Sequence, residues 1–141
     1  MRVKISLPER KEDFSCHYGV TIGDLNYGNH MGNDRFLSMA HEARLQLFDK
    51  LETSELNFYG TGLIMADSMV QYKAQAFRGD NLTVKIWVEN TSSRYFDLIY
   101  GVLNQNGKEV ARIKTGMIFY DYDNQKISSA PEEFVQLYVR Q

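Results

Sequence analysis

Several features are scarce in this 141-residue chain, and each scarcity argues against a class of protein. The single cysteine, Cys16, has no second cysteine in the chain to form a disulfide, which fits a reducing compartment. No stretch approaches the roughly 18 apolar residues of a membrane span, and the first residues lack the apolar run of a signal peptide. A net charge of -2 with interspersed signs gives no attraction to nucleic acid or anionic membranes. We therefore expect a soluble, cytoplasmic protein with no nucleic-acid or membrane partner.

Metal-binding and nucleotide-binding spacings are also missing. The three histidines form no i, i+4 pair with a nearby acid, and a second cysteine is lacking. Gly28 and Gly32 have neither the strand and helix context of a dinucleotide loop nor the lysine of a phosphate-binding loop. The sequence thus predicts no metal site and no cofactor.

Alternating apolar residues are what the chain has in abundance. The even-numbered residues from Phe14 to Ile22 are apolar, with the period of two that is typical of a half-buried strand. Later apolar sets alternate in the same way, with polar turn residues between them. These patterns predict a strand over 13–22 and antiparallel strands within 63–122, with apolar sets at 70–76, 82–88, 96–102 and 111–119.

Two helices are predicted. Apolar residues recur about every 100° around a helix over 34–51, and Arg44 falls inside their stripe. A charge there needs a carboxylate or carbonyl partners, so we expect Arg44 to form a structural ion pair rather than to bind substrate. Pro131, followed by two glutamates, marks the start of a short closing helix over 130–139.

The order of these elements predicts an α+β fold. A single long helix cannot cover both faces of a five-stranded sheet, so we expect one domain over 1–141. In it a curved antiparallel sheet of five to six strands wraps around one long central helix, and 1–12 form an N-terminal extension. Trp87, Tyr95 and Phe77 are out of phase with the core sets, which favours a partner on the other face of the sheet. The alternative is that these rings lie flat on a solvated surface.

A polar loop over 23–33, part of the stretch GDLNYGNHMGND, separates the first strand from the helix. The loop pattern D-x-(D/N)-x-x-x-H-x-x-N, the helix motif HEAR and the turn FRGD resemble hotdog-fold acyl thioesterases. The similarity covers about Phe14 to Tyr120 and is greatest to the 4-hydroxybenzoyl-CoA and plant acyl-carrier-protein thioesterase branch. It implies a hotdog fold, hydrolysis of an acyl-CoA thioester, and assembly as a homodimer or homotetramer.

The chain departs from that family's loop at Asn26, where an acid that acts as nucleophile or base is common. An amide can orient water or donate a hydrogen bond, but it cannot take up a proton. By the resemblance, Asn33 lies where the family has the donor to the thioester oxygen. If the chain hydrolyses thioesters, a group other than Asn26 must activate the water.

Thioester hydrolysis requires an oxyanion donor and a group that activates water. The backbone amide of Asn33 or Asp34, at the start of the helix, could serve as the donor. Candidates to activate water are Asp34, Glu42 and His30. Of these we favour Glu42, assisted by Asn26, because in a hotdog dimer its side of the helix approaches the second subunit, where it would lose solvent.

Each candidate also has a structural interpretation. Asp34 could only cap the helix, His30 could only brace the loop, and Glu42 would be solvated in a monomer. Asp24 is expected to fix the loop by accepting backbone N–H bonds.

Substrate contacts and rival functions complete the predictions. Lys73 and Arg78 are candidates to bind the phosphates of coenzyme A, which is favoured over acyl carrier protein because the chain has no basic rim. A binding module that has lost the chemistry at Asn26 is the main alternative. A hotdog dehydratase or hydratase is a weaker one.

Overall fold

The computed structural model describes residues 1–139 and has an α+β architecture of six antiparallel strands and two helices. The strands form one sheet in the order β1-β3-β4-β5-β2, and β6 pairs with β5. Edge positions therefore fall to β1 and β2. The elements are β1 Phe14–Gly19, α1 Arg35–Lys50, β2 Gly62–Tyr72, β3 Asn81–Glu89, β4 Tyr95–Leu103, β5 Glu109–Asp121, β6 Lys126–Ile127 and α2 Glu132–Tyr138.

The alternation identified the faces of the later strands correctly. In β3, β4 and β5 the members of the predicted apolar sets are buried on the side that faces α1. Strand β2 differs from its prediction, because it begins at Gly62 and ends at Tyr72. Leu63 pairs with Phe119 of β5, and a register shift between Met65 and Asp67 breaks the period-two pattern of β2.

Helix α1, where the sequence predicted a long central helix over 34–51, spans Arg35–Lys50 and has 16 residues. Its apolar stripe packs against the sheet as expected for an amphipathic helix. Asp34 precedes the helix and Leu51 follows it. The buried face consists of Phe36, Met39, Ala40, Ala43, Arg44, Leu47 and Phe48.

An aromatic cluster joins α2 to the rest of the core. Phe58 lies at its centre, 1% exposed, with its ring near those of Phe48, Tyr59, Phe96, Phe119 and Phe134. Phe134 is the fully buried residue by which α2 reaches this cluster. The short helix is therefore held by packing rather than by its own propensity, because seven residues are too few for a stable isolated helix.

The N-terminal strap, which we define as residues 1–13, covers part of the sheet face opposite α1. Ile5 packs with Trp87 and Ile99, and all three are less than 10% exposed. The Trp87 Nε1–H donates to the carbonyl of Arg10 at 2.9 Å, and Arg112 Nη1 donates to the carbonyl of Ile5 at 2.8 Å.

This strap corrects the expectation that Trp87 marks a surface for a partner. The chain covers its own tryptophan, while Tyr95 and Phe77 remain half exposed. Neither helix within residues 1–139 has the length and apolar character needed to cross a lipid bilayer.

Candidate active site

The polar loop folds into a small closed hairpin before α1. Leu25 and Met31 form an isolated antiparallel bridge, and the Asn26 N–H donates to the His30 carbonyl at 2.9 Å. Asn29 supplies the turn with a positive φ of 63°, a conformation that asparagine tolerates better than most residues. The Met31 N–H donates to the carbonyl of Ala76 at 2.8 Å, which ties the loop to the segment after β2.

Asp24 anchors the base of this loop, as predicted. Its carboxylate is 2% exposed and accepts hydrogen bonds from the Tyr18 hydroxyl at 2.7 Å and the Thr21 N–H at 2.9 Å. Arg35 Nε lies 3.6 Å from the same carboxylate. Burial alone would raise the pKa of Asp24, but the hydrogen bonds from Thr21 and Tyr18 and the charge of Arg35 outweigh it and lower the pKa.

Replacing Asp24 with asparagine is expected to destabilise the protein by about 1.5–3 kcal/mol near neutral pH, because a charged acceptor of several hydrogen bonds is lost. The folded-state pKa of Asp24 lies below its usual 3.8, so its stabilisation is present above about pH 4 and is lost as pH falls through the folded-state value. Urea unfolding of both proteins at pH 7 and at pH 3 measures this effect. A stability difference that does not shrink in acid would contradict the assignment.

A cleft of about 540 Å³ lies between the loop, the start of α1 and the end of β2. It brings together four of the predicted site residues, which are Asn26, His30, Asn33 and Lys73. Its other lining residues are Tyr27, Met31, Phe36, Tyr72, Ala74 and Gln75.

The two predicted oxyanion donors differ in their availability. The Asp34 N–H donates to the side-chain oxygen of Asn33 at 2.9 Å, so it is already engaged. The Asn33 N–H has no acceptor among residues 1–139, and Asn33 lines the cleft. The Asn33 amide is therefore the one free to bind a substrate oxygen.

Gly28 allows Asn26 and His30 to lie close together. A Cβ at Gly28 would come within 3.1 Å of His30 Nε2 and 3.2 Å of Asn26 Oδ1. The same Asn26 oxygen accepts the Gly28 N–H at 2.8 Å, so Asn26 stabilises the turn with its oxygen and keeps its amide N–H groups for other partners. The cleft thus presents an imidazole and an amide side by side.

Asp34 and Glu42 do not line the cleft. Asp34 is at its rim, where its charge adds to burial in raising the pKa of Tyr72, and its side chain makes no capping bond within residues 1–139. Glu42 is exposed on the flank of α1 that faces β1. Its charge reaches Cys16 of β1, where it adds to burial in raising the pKa of the thiol.

The two predicted phosphate-binding cations also differ. Lys73 lines the cleft, with its Nζ 3.8 Å from Glu109 Oε2. Arg78 is exposed in the turn between β2 and β3 and does not line the cleft. Among residues 1–139, no group of three or more His, Cys, Asp or Glu side chains is arranged to hold a metal ion.

Arg44 forms the structural ion pair that its position predicted. Its side chain is 6% exposed, and its Nε donates to Glu55 Oε1 at 2.8 Å. Its Nη1 donates to the buried Tyr100 hydroxyl at 3.3 Å, and that hydroxyl also bonds Thr115 Oγ1 at 2.8 Å.

Tyr72 is a site residue that the sequence pattern missed. Its hydroxyl donates to the carbonyl of Asn33 at 2.9 Å, and its ring meets Phe36 edge-on with centroids 5.4 Å apart. The sequence pattern treats Tyr72 as an apolar residue of an alternating strand. Its contact with Asn33 arises because β2 ends beside the start of α1, which the pattern does not show.

Replacing Tyr72 with phenylalanine keeps the ring and removes the bond to the Asn33 carbonyl. Because that bond is exposed, we expect stability to fall by less than about 1.5 kcal/mol. Any activity that depends on the Asn33 amide should fall by about tenfold, with kcat affected more than KM. Steady-state kinetics and urea unfolding of the same preparation measure both effects, and an unchanged kcat would show that Tyr72 does not position Asn33.

Solved structures share this architecture. They include a 1,4-dihydroxy-2-naphthoyl-CoA thioesterase from Synechocystis, with 21% identity, a TM-score of 0.78, and coverage of 86% of this chain and 91% of that one. A thioesterase superfamily protein from Jannaschia has 15% identity, a TM-score of 0.81, and coverage of 91% and 82%. A Staphylococcus aureus protein in complex with CoA has 14% identity, a TM-score of 0.78, and coverage of 92% and 84%.

Sequence comparison gives the family. No curated protein sequence is significantly similar to this chain. The model of the thioesterase-like superfamily matches residues 20–137, a range that contains the loop, α1 and most of the sheet. The resemblance to hotdog-fold thioesterases is thereby confirmed, and the chain belongs to the thioesterase-like superfamily.

Proposed function

We propose that the protein is an enzyme that hydrolyses an acyl-CoA thioester to the free acid and coenzyme A. The observation that carries this proposal is the free Asn33 amide at the start of α1, in the same cleft as His30. Membership of the thioesterase-like superfamily supports it, as does the structural similarity to a CoA thioesterase and to a protein bound to CoA.

The Asn33 amide would stabilise the charge that develops during the reaction. When water attacks the thioester carbonyl, its oxygen becomes negative, and a preorganised N–H near the positive end of a helix dipole stabilises that charge. The Tyr72 hydroxyl donates to the Asn33 carbonyl, which belongs to the next peptide along the chain, and so restrains the backbone immediately after the Asn33 N–H. Collapse of the intermediate breaks the carbon–sulfur bond, and the thiolate of coenzyme A receives the proton that the base removed from the attacking water.

We assign the activation of water to His30. Of the three candidates it is the one that lines the cleft, and imidazole can accept a proton near neutral pH. The free amide N–H groups of Asn26 lie beside it and can hold the water or the thioester oxygen. Glu42 remains a proposal that depends on a second protomer, because within one chain it faces β1.

A homodimer formed through β2 would complete the cleft. This edge strand pairs with β5 on one side, and Met65, Met69 and Tyr72 are exposed by 38–51% along it. A second copy that pairs edge to edge about a two-fold axis would cover these side chains and close the open side of the cleft. The N-terminal strap occupies part of the opposite face, so we propose a dimer rather than a tetramer that stacks sheet on sheet.

The remaining proposals concern the shape of the sheet and the contacts with coenzyme A. We propose that the sheet curves around α1, and that the pantetheine arm of CoA enters along the dimer interface. Lys73 would meet the diphosphate near the cleft. Arg78, which has no partner among the described residues, would meet a more distant phosphate.

One observation favours a second candidate, a binding module without catalysis. The family's common acid is replaced by Asn26, whose side-chain oxygen is already bound to the Gly28 N–H. Such a module would bind acyl-CoA in the same cleft and release no thiol.

Thiol release with Ellman's reagent over short, long, aliphatic and aromatic acyl-CoA thioesters tests the proposal. Turnover of any of them above the uncatalysed rate supports the hydrolase. If no thiol appears while equilibrium dialysis detects bound acyl-CoA, the binding module is correct. The variant Asn26→Asp is a second check in either case. It should change the rate of thiol release if the protein is an enzyme, and it should still release no thiol if the protein is a binding module.

Replacing Glu42 with glutamine tests Glu42 against His30 as the group that activates water. Because Glu42 faces β1, we expect kcat to stay within about twofold of the wild-type value. Loss of turnover in a variant that keeps its fold and oligomeric state would transfer the role from His30 to Glu42.

A further inference from the structure

A second, smaller pocket lies between α1 and the first half of β2. It has a volume of about 220 Å³ and contains more polar groups than an apolar acyl chain requires. Its lining consists of Leu37, Ser38, His41, Arg44, Met65 and Thr115, and we call it the α1–β2 pocket.

The polar groups of the α1–β2 pocket are mainly hydrogen-bond donors. Arg44 uses two of its five N–H groups, toward Glu55 and Tyr100, and has no further acceptor among residues 1–139. Its side chain is 94% buried, and its remaining surface lines the pocket. Ser38 is exposed and its hydroxyl has no partner within the same residues.

The carboxylate of Glu55, which contacts two residues of this pocket, is already engaged. Glu55 Oε1 accepts from Arg44 at 2.8 Å and lies 3.6 Å from His41 Nε2. Among the described residues no acidic side chain lines the pocket, so a ligand carboxylate would meet Arg44, His41 and Ser38, with Glu55 on the far side of the Arg44 ion pair as the neighbouring negative charge.

The pocket lies on the same side of α1 as the cleft. The cleft is at the start of the helix, where Tyr72 of β2 reaches Asn33, and the pocket is farther along, where Met65 of β2 faces His41 and Arg44. Eight to eleven residues separate Asn33 from these two side chains, which is about 12–16 Å along a helix. An extended acyl chain of roughly ten carbons spans such a distance.

We propose that the α1–β2 pocket binds a carboxylate at the far end of the acyl chain, so that the preferred substrate is the CoA monothioester of an aliphatic dicarboxylic acid. This inference rests on the proposed hydrolysis. Arg44 would offer its free N–H groups to the carboxylate, with Ser38 and His41 beside it. Leu37 and Met65 would pack against the methylenes. A methyl end would leave these donors without acceptors, which is how a polar pocket rejects an apolar analogue.

The test compares kcat/KM for decanoyl-CoA, 10-hydroxydecanoyl-CoA and the monothioester of decanedioic acid with CoA. We expect the carboxylate substrate to exceed decanoyl-CoA by about 10- to 100-fold, with the hydroxyl substrate between them. Ser38→Leu should lower that ratio toward one by filling the pocket without breaking the Arg44–Glu55 pair. Gln46→Leu, on the β1 flank of α1, is the matched control and should keep the ratio.

Equal or lower kcat/KM for the carboxylate substrate, in a protein that hydrolyses decanoyl-CoA, would overturn the inference about the pocket and leave the proposed thioester hydrolysis supported. A hydroxyl substrate that equals the carboxylate would also overturn it, as would an unchanged ratio in a Ser38→Leu protein that keeps the wild-type oligomeric state.

If no thioester is hydrolysed, the proposed hydrolysis fails, and calorimetric titration with the CoA monothioester of decanedioic acid and with decanoyl-CoA tests the pocket directly. Binding of the carboxylate thioester that is at least tenfold tighter than binding of decanoyl-CoA, with the difference lost in Ser38→Leu, supports the pocket. Equal binding of both thioesters, or binding of neither, overturns it.

Discussion

Replacing His30 with glutamine is expected to lower kcat for thioester hydrolysis by about 10²- to 10⁴-fold, the range that a general base contributes. His30 lines the cleft that also holds the free Asn33 amide, and glutamine keeps a polar side chain of similar reach without a proton-accepting nitrogen. Because the loop is held by backbone bonds at Asn26, Met31 and Gly32, the fold should be unaffected. Thiol release at saturating substrate measures kcat.

His17→Gln is the matched control for this experiment. His17 lies on the exposed parity of β1 and its Nδ1 contacts Thr83 Oγ1 at 3.4 Å, outside the cleft. We expect its turnover to stay within about twofold of wild type. If His30→Gln retained full activity, the base would have to be Asp34 at the rim or Glu42 from a second protomer.

Truncating Phe58 to alanine should cost about 3–5 kcal/mol of unfolding free energy, the largest stability effect that we expect from a single substitution in the core. The side chain is 1% exposed and its ring lies near five others, from α1, β4, β5, α2 and Tyr59. Removing it leaves a cavity that several elements would have to close together. Urea unfolding followed by fluorescence gives the free energy.

Phe77→Ala provides the comparison for the same chemical change. Phe77 is 49% exposed in the turn before β3, so its truncation should change stability by no more than about 0.5 kcal/mol. A small effect at Phe58 would show that α2 and the loop after α1 repack around the gap. In that case the aromatic cluster would matter less to the fold than its contacts suggest.

The sequence predicted elements whose signal is local. Alternation in β3, β4 and β5 and the apolar stripe of α1 each reflect burial of one face, which a chain encodes at every second residue of a strand or about every 3.6 residues of a helix. In β2 the register shift after Met65 breaks that period, and most of the strand is an exposed edge. The alternation therefore indicated only the set at 70–76, although the predicted strand region began at 63, one residue after the start of β2.

Long-range contacts account for the other differences. Trp87 was expected to face a partner, because nothing in the alternation shows that residues some eighty positions earlier will cover it. For the same reason Tyr72 was not assigned to the site. Arg44 was anticipated as an ion-paired residue because a charge within an apolar stripe has few other solutions, although its partner Glu55 was not.

The candidate site was predictable where one short segment supplies it. Asn26, His30 and Asn33 come from a single loop, and the structure brings them to one cleft. Glu42 lies only nine residues beyond Asn33, but on a helix that spacing places it on another flank. Sequence distance alone therefore could not decide whether it reaches the cleft.

The N-terminal strap has a consequence for the order of folding. Residues 1–13 precede every strand, whereas Trp87, Ile99 and Arg112, which receive them, belong to β3, β4 and β5. During synthesis the strap leaves the ribosome long before its docking surface is complete, so we expect it to dock last and to open first. Hydrogen exchange should find the amide of Ile5, which donates to Gln71 Oε1 at 3.0 Å, less protected than those of β4. A segment made before every strand would then be the one that seals the finished sheet.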